Sequence, residues 1–346
     1  MKKKLSIADI ARQLNISKTT VSFVLNGKAA EYHISETLEK RILDYIQEVG
    51  YRPNQFAQAL RTGKTKIIGM MVEDISDPFF ASVARMIEES AYRKGYKIVY
   101  CSTENDTQKT KDFIQVYRTR QVDGYIIAPP QGIEKEIQSL LDDNLPVVLF
   151  DRTIPGLETD DVLVDNFKSA YDAMCHFIKN GYKNISMITL ESDQVQMTDR
   201  VRGYKKAMDE IMAPHRIKKI IYHDDKENSI NEIQEYIASN PKLDAVFFAT
   251  NYIADNGLEA IRNLRLNIPN ELGVIVFDDY NLFRLFTPSI TAISQPIKEI
   301  SEQTIGLMLA RLEENKKLTK YQHIVLPTTL MVRESSVTKS DVESLI

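Results

Sequence analysis

The sequence SIADIARQLNISKTTVSFVLNG, residues 6–27, lies almost at the N-terminus and carries two short helical patterns joined by a tight turn. Ser6 precedes the first pattern and Ser17 the second, and a serine in this position accepts a hydrogen bond from the first turn of a helix. Asn15 ends the first pattern and Gly27 follows the second, since both residue types tolerate the backbone found at helix ends. We therefore predict two short helices here.

A third helical pattern follows and completes the module. Ser35 precedes it, and Leu38, Ile42 and Ile46 recur at helical spacing up to Gly50. Three short helices with a tight turn before the second are typical of a helix-turn-helix module. In such a module the N-terminal side chains of the second helix meet base edges in the major groove of DNA.

The second helix is predicted to expose hydroxyl groups and a cation, while Val21, Val24 and Leu25 hold it to its own core. Short or cationic donors of this kind suit phosphates and base edges. Helix capping alone would explain Ser17, but a cap does not require four hydroxyls in six residues. We expect DNA contacts from Ser17, Lys18, Thr19, Thr20 and Ser22.

Charge is distributed unevenly along the 346 residues. Residues 1–66 hold 12 lysines and arginines against 6 acidic residues, whereas the rest of the chain holds 32 against 42. A basic head on an acidic body favours a polyanion partner for the head, although many basic termini are only solvated.

The composition excludes a membrane protein, because no apolar stretch approaches the roughly 18 residues that a membrane span needs. Acidic and polar residues interrupt the basic N-terminus before any apolar run forms, which argues against a signal peptide. Cys101 and Cys175 are the only cysteines, and neither has a metal-ligand partner at useful spacing. We expect a cytoplasmic protein.

After Lys66 the pattern changes to alternating strands and helices. Near-continuous apolar strands between helices predict parallel sheets covered on both faces. The fold class is therefore α/β, with an all-α head and two doubly wound lobes that divide near residues 152–165. The predicted strands are 67–72, 97–103, 124–129, 146–151, 185–190, 218–223, 245–250 and 273–279, and the predicted helices are 77–94, 108–120, 133–143, 167–180, 200–212, 228–239 and 253–265.

Ligands of such sheets bind beyond the carboxyl ends of the strands. Those ends carry Asp151-Arg152, Thr250-Asn251 and Asp278-Asp279, and the loop after the first strand reads DISDPFF at 74–80. Carboxylates, an amide, guanidinium groups and an aromatic ring suit a sugar-like ligand between two lobes. At any single position, the acidic residue could instead only cap the next helix.

Catalytic signals are weak. No GxGxxG follows a strand, and no GxSxG is present. The segment TGKT at 62–65 lacks both the earlier glycine of a phosphate-binding loop and a preceding strand, so a basic linker is favoured. Asp278-Asp279 has no accompanying nucleophile or metal cluster. We expect no enzyme, no cofactor and no metal.

The chain resembles the lactose-repressor/galactose-repressor family of bacterial transcription regulators from about Leu5 to Arg333. The resemblance rests on the helix-turn-helix, on GYRPNQFAQALRTGKT at 50–65, on IGMMVEDISDPFF at 68–80, on the strand ends PVVLFDR and VIVFDD, and on SQP at 294–296. It implies a homodimer on pseudo-palindromic operator DNA. A small effector, a carbohydrate by the chemistry of the site, would bind in a periplasmic-binding-protein-like body and change DNA affinity.

The resemblance implies that Lys18 and Thr19 are the principal base readers, and that Thr20, Ser22 and Asn26 face the phosphate backbone. It also implies a hinge at 53–66 that becomes helical on operator, with Leu60 as a wedge between central base pairs. The DNA-contacting positions are Ser17, Lys18, Thr19, Thr20, Ser22, Phe23, Asn26, Asn54, Ala57 and Leu60.

For the effector, the resemblance points to Phe79, Asp151, Arg152, Arg200, Asn251, Asp278 and Gln295. The implied organisation is a DNA-binding domain at 1–52, the hinge, an N-lobe of about 67–163 plus 294–327, a C-lobe of about 164–293 plus 328–337, and a tail at 338–346. Two alternatives stay open: regulation of the same fold by a partner protein, and a sugar-binding protein without a regulatory role.

Three departures from the family pattern bear on specificity. Phe23 stands where the family usually has arginine or histidine, and it could pack on a thymine methyl or on protein. The loop KAAEYHI at 28–34 is a few residues longer than usual. Tyr252 follows Asn251 where the family often has aspartate, which leaves the effector's identity open.

Overall fold

The computed structural model describes residues 5–51, 63–221, 226–313 and 320–337. The chain forms two compact units, Met1–Thr65 and Lys66–Ile346. Most of the predicted hinge and the tail at 338–346 lie outside the described residues.

The N-terminal unit contains α1 (Ile7–Leu14), α2 (Lys18–Leu25) and α3 (Glu36–Glu48). The three predicted serine caps are confirmed: the Ser6, Ser17 and Ser35 side chains accept hydrogen bonds from the third residue of their helices. Asn15 ends α1 in the left-handed conformation, as expected. The small core of the N-terminal unit consists of Ile10, Ala11, Leu14, Val21, Val24, Ala29 and Ile42.

The second unit alternates strands and helices and forms two lobes, one of which combines residues 67–164 with residues 297–313 and 323–326. We call this part the N-lobe; its sheet has the order β11-β5-β4-β3-β1-β2. All neighbouring strands in it are parallel. Its elements are β1 (Ile67–Val72), α4 (Pro78–Arg93), β2 (Lys97–Ser102), α5 (Thr107–Thr119), β3 (Gly124–Ile127), α6 (Glu134–Asp142), β4 (Val147–Phe150), β5 (Asp160–Val164), α12 (Ile297–Glu313) and β11 (His323–Leu326).

The other lobe, here the C-lobe, has a sheet of order β12-β10-β9-β8-β6-β7, in which only the β10–β12 pair is antiparallel. The chain passes between the two sheets after β5, after β10 and between β11 and β12. Its elements are α7 (Asn166–Lys179), β6 (Ile185–Leu190), α8 (Val195–Glu210), β7 (Ile217–Ile220), α9 (Lys226–Ala238), β8 (Ala245–Phe248), α10 (Asn251–Asn263), β9 (Gly273–Phe277), α11 (Asn281–Leu285), β10 (Thr291–Ser294), β12 (Thr329–Met331) and a 3-10 turn (Glu334–Ser336).

The expected interruption of the strand pattern at 152–165 is wrong for residues 160–164, which form β5 between β11 and β4 in the N-lobe sheet. Asp160 and Asp161 make this strand hard to recognise in the sequence. Both are buried, because each has a cationic or imidazole partner. Arg311 pairs with Asp160, and His323 Nδ1 lies 2.7 Å from Asp161 Oδ2. The sequence analysis also missed β10, β11, β12, α11 and α12.

No helix among the described residues is long and apolar enough to cross a membrane.

The packing of α7 against α8 depends on Gly203. A Cβ atom added there would collide with the carbonyl oxygen of Phe167 and lie 2.9 Å from the backbone nitrogen of Tyr171. Gly306, in contrast, sits in α12 with no atom within 4 Å of an added Cβ.

We predict opposite effects for the two glycine-to-alanine substitutions. Gly203→Ala should lower the free energy of unfolding by about 1–3 kcal/mol, because backbone atoms of α7 would have to move. Gly306→Ala should raise it by about 0.5–1 kcal/mol, because alanine lowers the entropy cost of the helix. Urea unfolding of the full chain measures both, and losses of similar size would contradict the close approach of α7 and α8.

Candidate functional site

The inner face of α2 packs into the core of the N-terminal unit, and its polar side chains lie on the outer face. Val21 and Val24 are buried, while Lys18 and Thr19 are exposed. Arg41 of α3 supports the arrangement by donating to the Leu14 carbonyl oxygen at 3.1 Å, which caps the end of α1. The helix that we expected to read DNA is thus attached by one side only.

The hydroxyl-bearing side chains of α2 are partly engaged within the helix. Ser17 Oγ accepts from the Thr20 backbone N–H at 2.9 Å and lies 2.8 Å from Thr20 Oγ1. Asn26 Nδ2 donates to the Ser22 carbonyl oxygen at 2.5 Å. Lys18 and Thr19 therefore present the freest polar groups at the start of the helix, and the DNA-contacting roles assigned to these positions stay predictions.

Two of the departures noted in the sequence are joined in space. The ring of Phe23, on α2, stacks on the ring of Tyr32, in the long loop at 28–34, with centroids 3.5 Å apart and planes 7° apart. One face of the Phe23 ring thus packs on protein. Asn54, Ala57 and Leu60 lie outside the described residues.

In the second unit, the carboxyl ends of the strands bring together the side chains predicted to bind an effector. Asp151 follows β4 and Asp278 follows β9, and both have left-handed backbones with φ of 67° and 75°. Non-glycine residues rarely adopt this conformation, and it concentrates at functional sites. The backbone therefore changes direction at Asp151 and at Asp278, where each strand ends.

Arg152 is almost fully buried and binds three N-lobe side chains. Its guanidinium donates to Glu73 Oε2 at 2.6 Å, to Asn105 Oδ1 at 2.7 Å and to Asp151 Oδ2 at 2.9 Å. Burial alone would lower the pKa of Arg152, but the charges of Asp151 and Glu73 outweigh burial and raise it. The side chain is therefore a permanent cation on the N-lobe wall.

Arg200 forms the matching cation of the C-lobe. Its Nε donates to Asn166 Oδ1 at 2.9 Å, its Nη1 donates to the Ala249 carbonyl oxygen at 2.7 Å, and its guanidinium lies 3.4 Å from the centre of the Phe277 ring. Asp278 Oδ2 is 3.8 Å from Nη1. Burial lowers the pKa of Arg200, and Asp278 partly offsets this.

Asp278 lies between Arg200 and Gln295 on the C-lobe side of the cleft. Gln295 Nε2 donates to its Oδ1 at 2.5 Å, on the side opposite to the Arg200 contact with Oδ2. Burial raises the pKa of Asp278 to about 6, although Arg200 and Gln295 act in the other direction. Its carboxyl group is thus poised to change protonation near neutral pH.

Two hydrogen bonds connect the lobes across the cleft. Asn251 Nδ2 donates to Asp77 Oδ2 at 2.7 Å, and Gln194 Nε2 donates to Asn105 Oδ1 at 3.1 Å. A cavity of about 340 Å³ opens at the mouth between the lobes. Its lining residues are Asn105, Thr107, Gln131, Glu191, Ser192, Asp193, Gln194 and Lys219.

Phe79 differs from the other predicted effector residues because it belongs to the N-lobe core. It is 7 % exposed and lies edge-on to Phe80 with centroids 5.1 Å apart. Its backbone N–H donates to Asp77 Oδ1 at 2.8 Å, so that Asp77 caps the start of α4.

Sequence reasoning missed several polar side chains that meet at the cleft. Glu73 and Asp77 lie inside the quoted loop region without being selected, and Asn105 and Gln194 follow strands whose ends were not searched. Gln196 is 5 % exposed, one turn before Arg200, and its Oε1 has no hydrogen-bond partner in the described part of the chain. A search of every strand end for amides and carboxylates would have found the first four.

No group of three or more histidine, cysteine, aspartate or glutamate side chains in the described ranges is arranged to hold a metal ion.

Comparison with known proteins identifies the family. A profile of the bacterial regulatory proteins of the lacI family matches residues 6–54, and a periplasmic binding protein-like domain profile matches residues 174–336. The HTH-type transcriptional regulator RegA of Clostridium saccharobutylicum is 32 % identical over 337 residues, which cover 96 % of this chain and 99 % of the relative. The chain belongs to the LacI family. It is a DNA-binding transcriptional regulator, as the sequence analysis predicted, and its named relatives are regulators rather than enzymes.

Solved structures share the fold of this LacI-family chain. The lac repressor dimer bound to operator and the anti-inducer ONPF matches with a TM-score of 0.84 at 17 % identity, over 97 % of this chain and all of that one. A periplasmic binding protein/LacI transcriptional regulator from Alkaliphilus metalliredigens QYMF, complexed with D-xylulofuranose, matches with a TM-score of 0.68 at 26 % identity, over 79 % and 100 %. The predicted α/β class with a helical head is confirmed.

The raised pKa of Asp278 predicts a pH-dependent stability of this LacI-family protein. Because its folded pKa of about 6 lies above its ordinary value of 3.8, the folded state holds the proton more tightly and loses stability as pH rises through that range. Between pH 5 and pH 7 the native protein should lose about 1 kcal/mol relative to Asp278→Asn. Urea unfolding at both pH values measures the difference.

Asp172→Asn is the control for that experiment, because Asp172 forms an exposed ion pair with Lys168 on the surface of α7. Its difference from the native protein should not change between pH 5 and pH 7. The same pH dependence in both variants would show that Asp278 titrates outside this window.

Proposed function

We propose that this regulator binds operator DNA with an affinity that is controlled by a carbohydrate held between the two lobes. The observation that carries the proposal is the lining of the cleft, where buried guanidinium, carboxylate and amide groups face one another from both lobes. Such groups form paired hydrogen bonds with sugar hydroxyls. The proposed effector residues are Phe79, Asp151, Arg152, Arg200, Asn251, Asp278 and Gln295, with Glu73, Asp77 and Gln196 added.

The charge of the cleft favours a neutral ligand over a phosphate ester. Near the two buried guanidinium groups lie four carboxyl groups, those of Glu73, Asp77, Asp151 and Asp278, and the cavity at the mouth adds Glu191 and Asp193 against Lys219. Both guanidinium groups already have carboxylate partners: Arg152 pairs with Glu73 and Asp151, and Arg200 pairs with Asp278. An added anion would meet uncompensated carboxylates in a poorly solvated site, which is costly. The D-xylulofuranose complex of the Alkaliphilus protein supports a neutral sugar as the ligand class.

On the DNA side, Lys18 and Thr19 are the proposed base readers, and Leu60 stays the predicted minor-groove wedge. A wedge of this kind unstacks bases at a cost of a few kcal/mol, so two paired subunits recover it better than one. The protein would act in the cytoplasm as a homodimer on a pseudo-palindromic operator.

The effector proposal is tested by operator binding in the presence of sugars. Operators are first selected from random duplexes with the full chain, and binding is then measured by fluorescence anisotropy with neutral sugars, including D-xylulose, and with their phosphate esters. A neutral sugar should change operator affinity about 5- to 150-fold, which is the usual range of allosteric coupling. Arg200→Gln and Asp278→Asn should abolish the change.

Arg202→Gln is the matched control, because Arg202 lies on the same helix as Arg200 but is exposed and pairs with Asp199 at 2.7 Å. It should keep the full response. Circular dichroism establishes that each variant is folded. A response only to a protein fraction, unaffected by Arg200→Gln, would favour the partner-regulated alternative, and a response only to phosphate esters would overturn the neutral-ligand assignment.

The homodimer proposal is supported by an apolar patch at the edge of the N-lobe sheet. β2 is an edge strand of that sheet, and its Val99 and Tyr100 are 45 % and 46 % exposed. Tyr92 at the end of α4 and Val116 on α5 are also exposed, at 75 % and 49 %. An exposed apolar edge strand is a ready surface for pairing with another chain.

We predict that Tyr100→Glu weakens the dimer, because it places a charge on the exposed edge strand β2. Light scattering at micromolar concentration should show a shift towards monomer, and operator affinity should fall at least ten-fold since each half-site would be bound alone. Met212→Glu, at a C-lobe position that is 93 % exposed, should change neither quantity. A stable dimer for Tyr100→Glu would contradict the assignment.

A further inference from the structure

The stacked pair of Phe23 and Tyr32 lies on the DNA-reading side of α2. Phe23 is one helical turn after Thr19, so the two side chains share a face. That face is opposite to the buried Val21 and Val24. The ring of Phe23 is therefore not part of the core of the unit, and the cover over one of its faces comes from Tyr32.

The long loop holds Tyr32 in place through its backbone. The Lys28 N–H donates to the Phe23 carbonyl oxygen at 2.9 Å, and the Tyr32 N–H donates to the Lys28 carbonyl oxygen at 3.2 Å. Ala29 is buried, and the Ile34 N–H donates to its carbonyl oxygen at 2.9 Å. The extra residues of the loop thus form an ordered turn that carries one aromatic ring back to α2.

The pair keeps an apolar surface exposed on an otherwise polar face. Tyr32 is 45 % exposed, and Phe23 is partly exposed. Within the described residues the Tyr32 hydroxyl has no hydrogen-bond partner, and beside it Lys28 is paired with Glu31 at 3.4 Å. The two rings thus offer apolar surface that a bound partner could cover.

Base edges in the major groove offer one apolar group, the 5-methyl group of thymine. Aromatic rings cannot form the paired hydrogen bonds by which arginine selects guanine, but they contact a methyl group well. Resting on the DNA-binding function, we propose that Phe23 and Tyr32 act together as one reader that selects thymine through its 5-methyl group. Tyr32 is then a specificity-determining residue contributed by the loop rather than by the recognition helix.

Replacing thymine by uracil in the operator tests this directly, because only the methyl group is removed. The selected operator is scanned with one such replacement at a time, and binding of the full chain is measured by anisotropy. One or two positions in each half-site should lose about three- to ten-fold in affinity. Tyr32→Ala and Phe23→Ala should bind the thymine operator at this weakened level and no longer distinguish it from the uracil operator.

Two further variants separate reading from a structural role. Tyr32→Phe keeps the stacked ring and should keep the discrimination between thymine and uracil. Leu43→Ala alters a side chain on α3 that is 44 % exposed, close to the exposure of Tyr32, and should change neither affinity nor discrimination. Circular dichroism of each variant reports whether the N-terminal unit is folded.

The outcomes distinguish this inference from the function on which it rests. Failure of the native chain to select any duplex would overturn the DNA-binding role and the inference together. Selection of an operator with no thymine sensitive to uracil, or equal sensitivity in the native chain and in Tyr32→Ala, would overturn the paired reader alone.

Discussion

The interlobe cleft is organised by the need to neutralise two buried guanidinium groups. A buried charge without a partner is costly, so Arg152 and Arg200 require carboxylates and carbonyl oxygens within reach. Glu73, Asp151 and Asp278 supply the carboxylates. Parallel strands make this possible because their carboxyl ends meet at one edge of each sheet, and the two edges face each other. Burial is the main cause of the raised pKa of Asp278, and the nearby carboxylates of Asp77 and Asp151 add to it.

The contacts between the lobes are of a different kind from those within each wall. Each wall is held by charged hydrogen bonds to buried arginines, whereas the two bridges, Asn251 with Asp77 and Gln194 with Asn105, each contain an amide. Hydrogen bonds of this sort contribute about 0.5–1.5 kcal/mol each, or somewhat more where one partner is charged. A ligand that replaces them with its own hydrogen bonds can therefore shift the balance between lobe arrangements, which is the differential affinity that allosteric control needs.

In the N-terminal unit the polar groups must stay exposed rather than buried, because the proposed DNA-binding face of α2 lies outside the core. A small set of buried side chains holds α2 from one side, and capping bonds at Ser6, Ser17 and Ser35 begin the three helices. The remaining face carries Lys18 and Thr19 together with the aromatic pair. The ring of Tyr32 reaches Phe23 from the loop at 28–34, so this part of the face is built by two separate segments of the chain.

Local sequence signals determined the serine caps, most helices, the eight predicted strands and the acidic strand ends, because each depends on neighbours within a few residues. Tertiary structure alone decided the rest. β5 was hidden because Asp160 and Asp161 obtain their partners, Arg311 and His323, from about 150 residues further along the chain. The contacts of Asp278 with Arg200 and Gln295, and of Phe23 with Tyr32, likewise follow from chain crossings and loop geometry. Such contacts are set by packing between distant segments, and no pattern within one segment encodes them.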